Sequence, residues 1–426
     1  MLPNQASVLV AGGGAAGFMA AIVAAEAGVA NVHLLEATPE PLNKVLISGG
    51  GRCNVTHACW DPRELVGHYP RGLKALRGPF SRFAPGDAVA WFEAHGLELV
   101  AEADGRLFPR TNRSESVAAL LRNAAQAAGV TLHTGVALQQ VSRGSDGQFV
   151  CGLRLSAPQP PGRRQLRCRR LVLATGGHPS GRQLAASLGH VVVPPVPSLF
   201  TLALAANPLP ELAGVVMDPV DLELQIDGLP TGVDSVRHRQ SGTVLITHWG
   251  LSGPAVLRLS AFAARDLKAA GYRGLLRVNW AAGRRPAEVE DLLGSMRLEQ
   301  ARRQRGTWRP WPELSRRLWL HLLAVQGIDP QGRWADLSRT QLRGLVQALT
   351  NSTYSVGGRG PFGEEFVTAG GVDLGDINLA SMESRICPGL QVVGELLDVD
   401  GVTGGFNFQH CWTSGWLAGQ ALARIT

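Results

Sequence analysis

The sequence predicts an α/β fold built on parallel strands and interrupted by a β-rich segment and then a helical segment. Three observations indicate this. An apolar run at 8–11 leads through a glycine turn into an Ala-rich segment at 18–27. Apolar and polar residues alternate from 199 to 279, which is typical of antiparallel strands. From 284 to 348, apolar residues recur at helical spacing.

Composition excludes several classes of protein. The chain has 426 residues, of which 45% are apolar and 18% charged, as in globular rather than disordered proteins. It contains no run of about 18 apolar residues and no basic segment followed by an apolar signal core, so we expect a cytoplasmic protein without a transmembrane helix. None of the six cysteines forms a Cys-x-x-Cys pair, so we expect reduced thiols and no metal site.

The first glycine turn has the pattern of a dinucleotide-binding motif. Gly12, Gly14 and Gly17 follow an apolar strand, and Glu36 ends the next apolar run. These glycines allow a tight turn, the approach of a pyrophosphate and close packing of helix on sheet. The helix N-terminus offers unpaired N–H groups to phosphate, and the acid can accept hydrogen bonds from ribose. The predicted contacts are Gly12, Gly14, Ala15, Ala16, Gly17 and Glu36.

A second glycine cluster follows at 49–51. Three consecutive glycines do not suit the interior of a helix or strand, so this stretch is predicted to be a loop whose backbone approaches a flat or charged ligand. Arg52 offers a planar cationic fork for phosphate or a polarised ring edge. The predicted contacts are Lys44, Ser48, Gly50, Gly51, Arg52, Cys53 and Asn54.

In later segments, too, an apolar strand is followed by glycines and other small residues. One apolar strand ends at 174–177, and Val136 follows another. A strand near 389–393 leads into a glycine turn, and a second glycine pair precedes the last helix. The predicted contacts are Val136, Ala174, Thr175, Gly176, Gly177, Gly394, Glu395, Asp398, Asp400, Gly404, Gly405, Phe406 and Asn407.

These segments favour one large, tightly held dinucleotide. Because only one complete Gly-x-Gly-x-x-Gly motif with its acid is present, a second nucleotide would have to dock transiently. The additional glycine-rich segments favour FAD over NAD as the resident cofactor, with NADH or NADPH as the transient reductant.

The helical segment is rich in arginine. Arginines cluster between Arg297 and Arg317, with Trp308 and Trp311 among them, and the whole chain carries a net charge of +7. Arginines and tryptophans together suit the phosphates and bases of RNA. Solvated helix faces with core tryptophans are the alternative, and an Arg-rich coding bias would also explain the charge.

Several segments, in the same order along the chain, resemble the BaiN/RdsA family of FAD-dependent oxidoreductases, also called aminoacetone-oxidase-family flavoproteins. The matching segments are Gly12–Gly17, Lys44–Asn54, Gly105–Pro109, Ala174–Gly177, Thr247–Pro254, Thr368–Val372 and Gly394–Asn407. The resemblance implies a discontinuous, Rossmann-like FAD-binding domain with an inserted β-barrel and a small helical domain. The expected boundaries are 1–195 and 371–426 for the FAD domain, 196–284 and 346–370 for the barrel, and 285–345 for the helical insert.

Similar proteins include a ribosomal RNA dihydrouridine synthase, a bile-acid double-bond reductase and an aminoacetone oxidase. The leading hypothesis is therefore reduction of an activated C=C bond, with electrons from NAD(P)H passing through FAD to a small molecule or to uridine in ribosomal RNA. The substrate also needs a proton, and the candidate donors are Cys53, His248 and His410. A small-amine oxidase that uses dioxygen and a flavin-bearing redox sensor remain open.

Overall fold

The computed structural model describes residues 2–156, 162–230, 237–360 and 367–424. The chain divides into two compact units. Unit 1 comprises Met1–Pro195 and Val367–Thr426, and unit 2 comprises Val196–Phe366. Residues 361–366, within the second predicted barrel segment, lie outside the described residues.

Thirteen α-helices and twenty strands lie within the described residues. The helices are α1 (Ala15–Glu26), α2 (Asn43–Gly51), α3 (Pro62–Leu65), α4 (Arg77–Phe80), α5 (Pro85–Ala94), α6 (Ser114–Ala127), α7 (Pro179–Ser187), α8 (Pro254–Phe262), α9 (Ala264–Ala269), α10 (Pro286–Glu299), α11 (Arg316–Val325), α12 (Arg339–Thr350) and α13 (Phe406–Ala423). The strands are β1 (Gln5–Ala11), β2 (Val32–Glu36), β3 (Thr56–His57), β4 (Leu99–Ala101), β5 (Arg106–Pro109), β6 (Thr131–Thr134), β7 (Val136–Arg143), β8 (Phe149–Leu155), β9 (Gly162–Leu173), β10 (Val192–Ser198), β11 (Leu202–Leu204), β12 (Val216–Ile226), β13 (Arg239–Ile246), β14 (Gly250–Ser252), β15 (Gly274–Asn279), β16 (Ser352–Arg359), β17 (Val367–Val372), β18 (Ile377–Asn378), β19 (Glu383–Ser384) and β20 (Leu390–Val392).

Unit 1 is built on a parallel sheet with the order β20–β9–β1–β2–β6. In β1, Val10 lies between Leu34 of β2 and Val172 of β9. Strands β7 and β8 extend β9 as an antiparallel branch, and β18 and β19 extend β20. The parallel strands therefore end at a common carboxyl edge, where α/β sheets bind their ligands.

The first and last helices of unit 1 pack closely against each other. A Cβ atom built on Gly415 of α13 would lie 2.6 Å from the carbonyl oxygen of Ala16, and one on Gly419 would lie 2.7 Å from the Cβ atom of Val23. Glycines in α13 therefore let its backbone approach α1, which brings the end of the chain to the beginning of the sheet.

Unit 2 contains a closed barrel with the strand order β11–β14–β13–β12–β15–β16 among its described residues. Leu222, Leu224 and Ile226 of β12 are buried, and the residues between them are more exposed, which is the expected period of two. Helices α10–α12 lie between β15 and β16 in sequence and share one hydrophobic core with the barrel. The predicted α/β fold, barrel and helical region are thereby confirmed.

None of the helices in the described part of the chain combines the length and the apolar composition needed to span a membrane.

Candidate functional site

A cavity of about 940 Å³ opens beside the carboxyl edge of the parallel sheet in unit 1. Among the predicted contacts, Gly12, Glu36, Val136 and Thr175 line it. The strand ends are tied together, because Gly12 N–H donates to Leu35 (2.9 Å). Sheet geometry thus brings together residues that are more than 100 positions apart in the sequence.

Each glycine of the first motif has a distinct steric environment. A Cβ atom on Gly12 would lie 2.3 Å from the oxygen of Ala174, and one on Gly17 would lie 1.9 Å from the oxygen of Gly12. A Cβ atom on Gly14 would meet no atom of the described structure within 4 Å. Gly12 and Gly17 are therefore required by packing, whereas Gly14 leaves open space for a ligand, as predicted for a pyrophosphate approach.

The N-terminus of α1 is free to bind an anion. Its cap, Gly14, has no side chain, and the first turn, which includes Ala15 and Ala16, contains no acidic residue. Helix α13 begins in the same way after Gly405. Two such helix ends offer N–H groups and a partial positive charge without a competing side chain.

The carboxylate of Glu36 is fixed at the end of β2. One of its oxygens accepts from Gly13 N–H (3.0 Å), and the other accepts from the amide and hydroxyl of Thr38 (both 2.8 Å). These bonds hold the acid against the glycine turn and the cavity, which is the position expected of a group that binds ribose.

The second glycine cluster is only partly a loop. Residues 43–47, before the glycines, form a helical turn, and the helix breaks at Ser48 (ψ 150°). Gly49, Gly50 and Gly51 then adopt positive φ, and the Cβ positions of Gly50 and Gly51 are open. The glycines therefore form the predicted exposed backbone, and Lys44 lies on the short helix before it.

A cluster of residues from three segments surrounds Glu395. Its Oε2 pairs with Lys44 Nζ at 2.6 Å, and its Oε1 accepts from Thr368 N–H at 3.1 Å. Cβ atoms on Gly176 and Gly177 would lie 3.5 Å and 3.1 Å from this carboxylate, so the strand end after Ala174 adjoins it. The structure thus brings these predicted contacts together beside α1.

The turn before α13 is held by side chains on both sides. With its amide oriented to satisfy both polar atoms, Asn54 donates to Thr56 and accepts from Gly405 N–H (3.0 Å). Asn407 exchanges two 2.8 Å hydrogen bonds with Gly401. Asn54 and Asn407 therefore position the backbone around Gly404 and Gly405, and their amides are already engaged.

Two predicted ligand contacts are corrected by their pairing. The carboxylate of Asp400 is fully buried and paired with Arg71, so it presents no free face to a ligand. The guanidinium of Arg52 lies over Phe108 at 3.9 Å and is paired with Glu102. Both charged groups stabilise the surrounding loops.

Asp398, another predicted contact, is half-buried, and its backbone N–H donates to the carbonyl oxygen of Val372.

Two of the three predicted proton donors are also corrected. Burial raises the pKa of the Cys53 thiol to about 12, despite a hydrogen bond with Ser48. Burial lowers the pKa of His410 to about 4, and its Nε2 is hydrogen bonded to the carbonyl oxygen of Gly394. Neither group is exposed to a substrate, because each is enclosed by the packing of unit 1. His248 of unit 2 is exposed.

The sequence reasoning missed an aromatic cluster next to Gly404. Phe406 is stacked between His57 (4.7 Å between ring centroids) and His68 (4.2 Å), and its carbonyl oxygen accepts from Tyr69 (2.6 Å). His57 also hydrogen bonds to the carbonyl oxygen of Asp104, and burial lowers its pKa. No spacing in the sequence connects positions 57, 68 and 406.

The arrangement in unit 1 fits a flavin dinucleotide. Two uncapped helix ends, an open Cβ position at Gly14 and exposed backbone at Gly50 and Gly51 match the phosphates and a flat ring. The hydroxyl of Thr175, which lines the cavity, is buried and has no hydrogen-bond partner among the described residues. A bound ligand would satisfy it.

The fold and this site define the class of flavin-binding proteins with a Rossmann-type nucleotide domain. The chain belongs to the family described as HI0933-like protein Rossmann domain, which matches residues 6–421. This confirms the resemblance to the BaiN/RdsA family, and the chain is an FAD-dependent oxidoreductase.

Relatives with assigned functions match over nearly their whole length. The chain is 30% identical to a 3-dehydro-bile acid delta(4,6)-reductase of Clostridium scindens, covering 97% of this chain and 98% of that protein. It is 29% identical to a ribosomal RNA dihydrouridine synthase of Escherichia coli, covering 97% of each chain.

Solved structures share the fold. A 3-ketosteroid delta1-dehydrogenase from Sterolibacterium denitrificans superimposes with a TM-score of 0.54 at 12% identity, covering 100% of both chains. A flavocytochrome c3 fumarate reductase gives a TM-score of 0.52 at 17% identity, covering 99% of this chain and 78% of that chain.

The arginine-rich segment of unit 2 divides into buried and exposed parts. Trp311 is only 5% exposed and packs in the core, and Arg305 is equally buried, with its Nε donating to Gly332. Neither residue can belong to the predicted RNA-binding face, because both are enclosed by the helical packing, and the burial of Trp311 agrees with the alternative of core tryptophans. Trp308 is 42% exposed, and the guanidinium of Arg303 lies over its ring at 5.2 Å.

Proposed function

We propose that this chain reduces the carbon–carbon double bond of the uracil ring in ribosomal RNA, with NADH or NADPH as the transient electron donor. The names of the two relatives describe reductions of this general type, one acting on a bile acid and one on ribosomal RNA. The presence of one complete dinucleotide motif supports a nicotinamide that binds only in passing.

One surface of unit 2 favours RNA over a small amine. It consists of Arg302, Arg303, Arg333 and Trp308, and we call it the arginine surface. Residues Gln304 and Arg333 pair across two adjacent segments, and Trp334 N–H donates to Arg303 (3.0 Å), so these arginines lie near one another. All three are exposed, and within the described ranges no carboxylate pairs with any of them.

Exposed arginines that lie near one another and pair with no carboxylate of the described residues suit a polyanion. Each phosphate contact releases condensed counterions, which makes binding favourable at low salt. A small amine would gain nothing from such a surface, because like charges repel. This observation carries the choice of RNA over the small-amine oxidase.

The residues of unit 1 have separable roles in the proposed reaction. FAD, when bound, supplies hydride transfer between the nicotinamide and the substrate. The first turn of α1, after Gly14, binds the pyrophosphate, and Glu36 binds the ribose. Of the three candidate proton donors, only His248, which belongs to unit 2, is exposed.

The cellular test is a map of modified uridines. Dihydrouridine at one or more positions of ribosomal RNA should be present in cells that carry this protein and absent after its deletion. Restoring the intact gene should restore the modification. Identical maps in the two strains would contradict the proposal.

The biochemical test is charge reversal on the arginine surface. The double variant R302E/R303E should weaken RNA binding, and the slope of log affinity against log salt should fall by about 1.4, since each lost contact to a single strand removes about 0.7. Arg305 is left unchanged because it is buried. The variant R77E/R122E, which changes two exposed arginines of unit 1, is the matched control for net charge.

Equal RNA affinity of the two double variants, or no RNA binding by the parent protein at low salt, would contradict an RNA substrate. Peroxide release with a small amine would then favour the oxidase.

A further inference from the structure

The turn Thr247–Gly250 connects β13 to β14 and is unusually well fixed. Thr247 N–H donates to Gly250 at 2.8 Å, and the Thr247 hydroxyl oxygen accepts from the amides of Trp249 (3.3 Å) and Gly250 (3.2 Å). The same hydroxyl donates to the carbonyl oxygen of Gly250 at 3.0 Å. The hydroxyl of Thr247 therefore makes three hydrogen bonds within the turn.

Neighbouring segments fix the outer half of the turn. The side-chain amide of Asn207 donates to the carbonyl oxygen of His248 (3.0 Å), and Leu204 N–H donates to that of Trp249 (3.0 Å). A Cβ atom on Gly250 would lie 2.2 Å from the oxygen of Leu202, so β14 approaches β11 as closely as a glycine allows. The turn has little freedom to rearrange.

Two side chains remain exposed on this rigid turn. His248 is exposed, and Trp249 is 49% exposed although an indole gains free energy when it leaves water. Neither ring is among the aromatic contacts of the described residues. A large aromatic ring that is half exposed on a hydrogen-bonded turn is typical of a binding surface rather than of a folding element.

We propose that the turn is a base-binding platform, on which Trp249 stacks against one unpaired pyrimidine of single-stranded RNA and His248 faces the polar edge of that base. This inference rests on the proposed RNA substrate and identifies where unit 2 holds a base. Stacking on tryptophan is the usual way in which proteins bind unpaired bases, because every base offers a π-face.

The barrel segment that binds the platform also accepts hydrogen bonds from an arginine. The side chain of Asn207 donates to the turn. Six residues later, the carbonyl oxygen of Ala213 accepts a hydrogen bond from Arg317 (3.3 Å). Arg317 also donates to the carbonyl oxygen of Glu211. Six residues span at most about 22 Å. Arg316 and Arg317, both exposed at the start of α11, can therefore contact the phosphates of a strand whose base lies on Trp249.

The test compares binding of two polymers to the FAD-loaded protein. Fluorescence anisotropy would measure the affinity for a labelled ten-nucleotide oligouridine and for an abasic ribose-phosphate polymer of the same length. W249A should bind oligouridine about 5- to 150-fold more weakly than the parent, the range spanned by one stacked base. W249F should retain most of the affinity, because it keeps a π-face.

The abasic polymer and a matched variant provide the controls. W249A and W249F should bind the abasic polymer like the parent, since it offers no base to stack. Trp60 of unit 1 is 54% exposed, and W60A should bind both polymers like the parent. Unchanged FAD content and thermal unfolding of W249A would show that the fold is intact.

The outcomes separate this inference from the proposed function. If W249A binds oligouridine like the parent while R302E/R303E binds it weakly, the platform is overturned and the RNA substrate stands. An equal loss for both polymers also overturns the platform, because stacking would not explain it. If the parent binds neither polymer at low salt, the RNA substrate fails and the platform fails with it.

Discussion

Units 1 and 2 present their candidate binding groups in different ways. In unit 1 the site consists of backbone N–H groups, glycines and the carboxylate of Glu36, and three ion pairs lie around it. These pairs are Lys44–Glu395, Arg52–Glu102 and Arg71–Asp400. In unit 2 the candidate groups are exposed side chains, namely the arginine surface and the turn that carries Trp249.

This difference implies that substitutions are tolerated differently at the two sites. A backbone site depends on the absence of side chains, so substitutions at its glycines remove either the fold or the ligand. A surface site depends on the presence of particular side chains, which can be exchanged at little cost in stability. Unit 1 is therefore suited to a constant cofactor and unit 2 to a variable substrate.

The largest expected effects concern two glycines of the same motif. Gly17→Val should destabilise unit 1 by about 4 kcal/mol or more, because its Cβ atom would overlap the oxygen of Gly12. Gly14→Val should fold, because its Cβ position is open, but should bind FAD roughly 100-fold more weakly since the side chain occupies the pyrophosphate site. Thermal unfolding of the apoprotein and titration with FAD measure the two effects.

If Gly14→Val bound FAD as tightly as the parent in the titration, the backbone description of unit 1 would be wrong. Colourless parent protein that takes up no FAD would contradict it as well.

The next effect tests the division of unit 2 into core and surface. Trp311→Ala should lower the free energy of unfolding by about 3–5 kcal/mol, because it leaves a cavity in the shared core. Trp308→Ala should lower it by less, since Trp308 is 42% exposed and its contact with Arg303 is partly solvated. Urea denaturation compares them, and equal losses would place both tryptophans in the core.

The smallest effect tests the burial of His410 in unit 1. Its pKa of about 4 in the folded chain lies below the usual 6.5, so the unfolded chain binds more protons between these values. Stability is complete above pH 6.5 and falls as the pH falls towards 4. At pH 5 the loss from His410 should be about 2 kcal/mol relative to pH 7.5.

The comparison variant is His410→Gln, which cannot titrate. Other buried histidines of unit 1, including His33 and His133, also have lowered pKa values and contribute in both proteins. The quantity of interest is therefore the difference between the two pH profiles of unfolding free energy. Parallel profiles would show that the pKa of His410 is not lowered in the folded chain.

The sequence by itself determined the elements whose constraints are local. Gly12, Gly14 and Gly17, followed by Glu36, predicted the nucleotide turn, because backbone conformation and phosphate approach depend on neighbouring residues. The alternation through Leu222–Ile226 predicted barrel strands, and the spacing of Leu318 and Leu322 predicted a helix, because side-chain period follows backbone geometry.

Only the tertiary structure decided which groups are free to act. Cys53 and His410 have the right chemistry for proton donors, and Asp400 has the right chemistry for a ligand contact, yet all three are buried. Their partners come from distant parts of the chain, as when Arg71 pairs with Asp400 from 329 positions away. Burial and pairing depend on three-dimensional packing, so no local pattern distinguishes the buried Trp311 from the exposed Trp249.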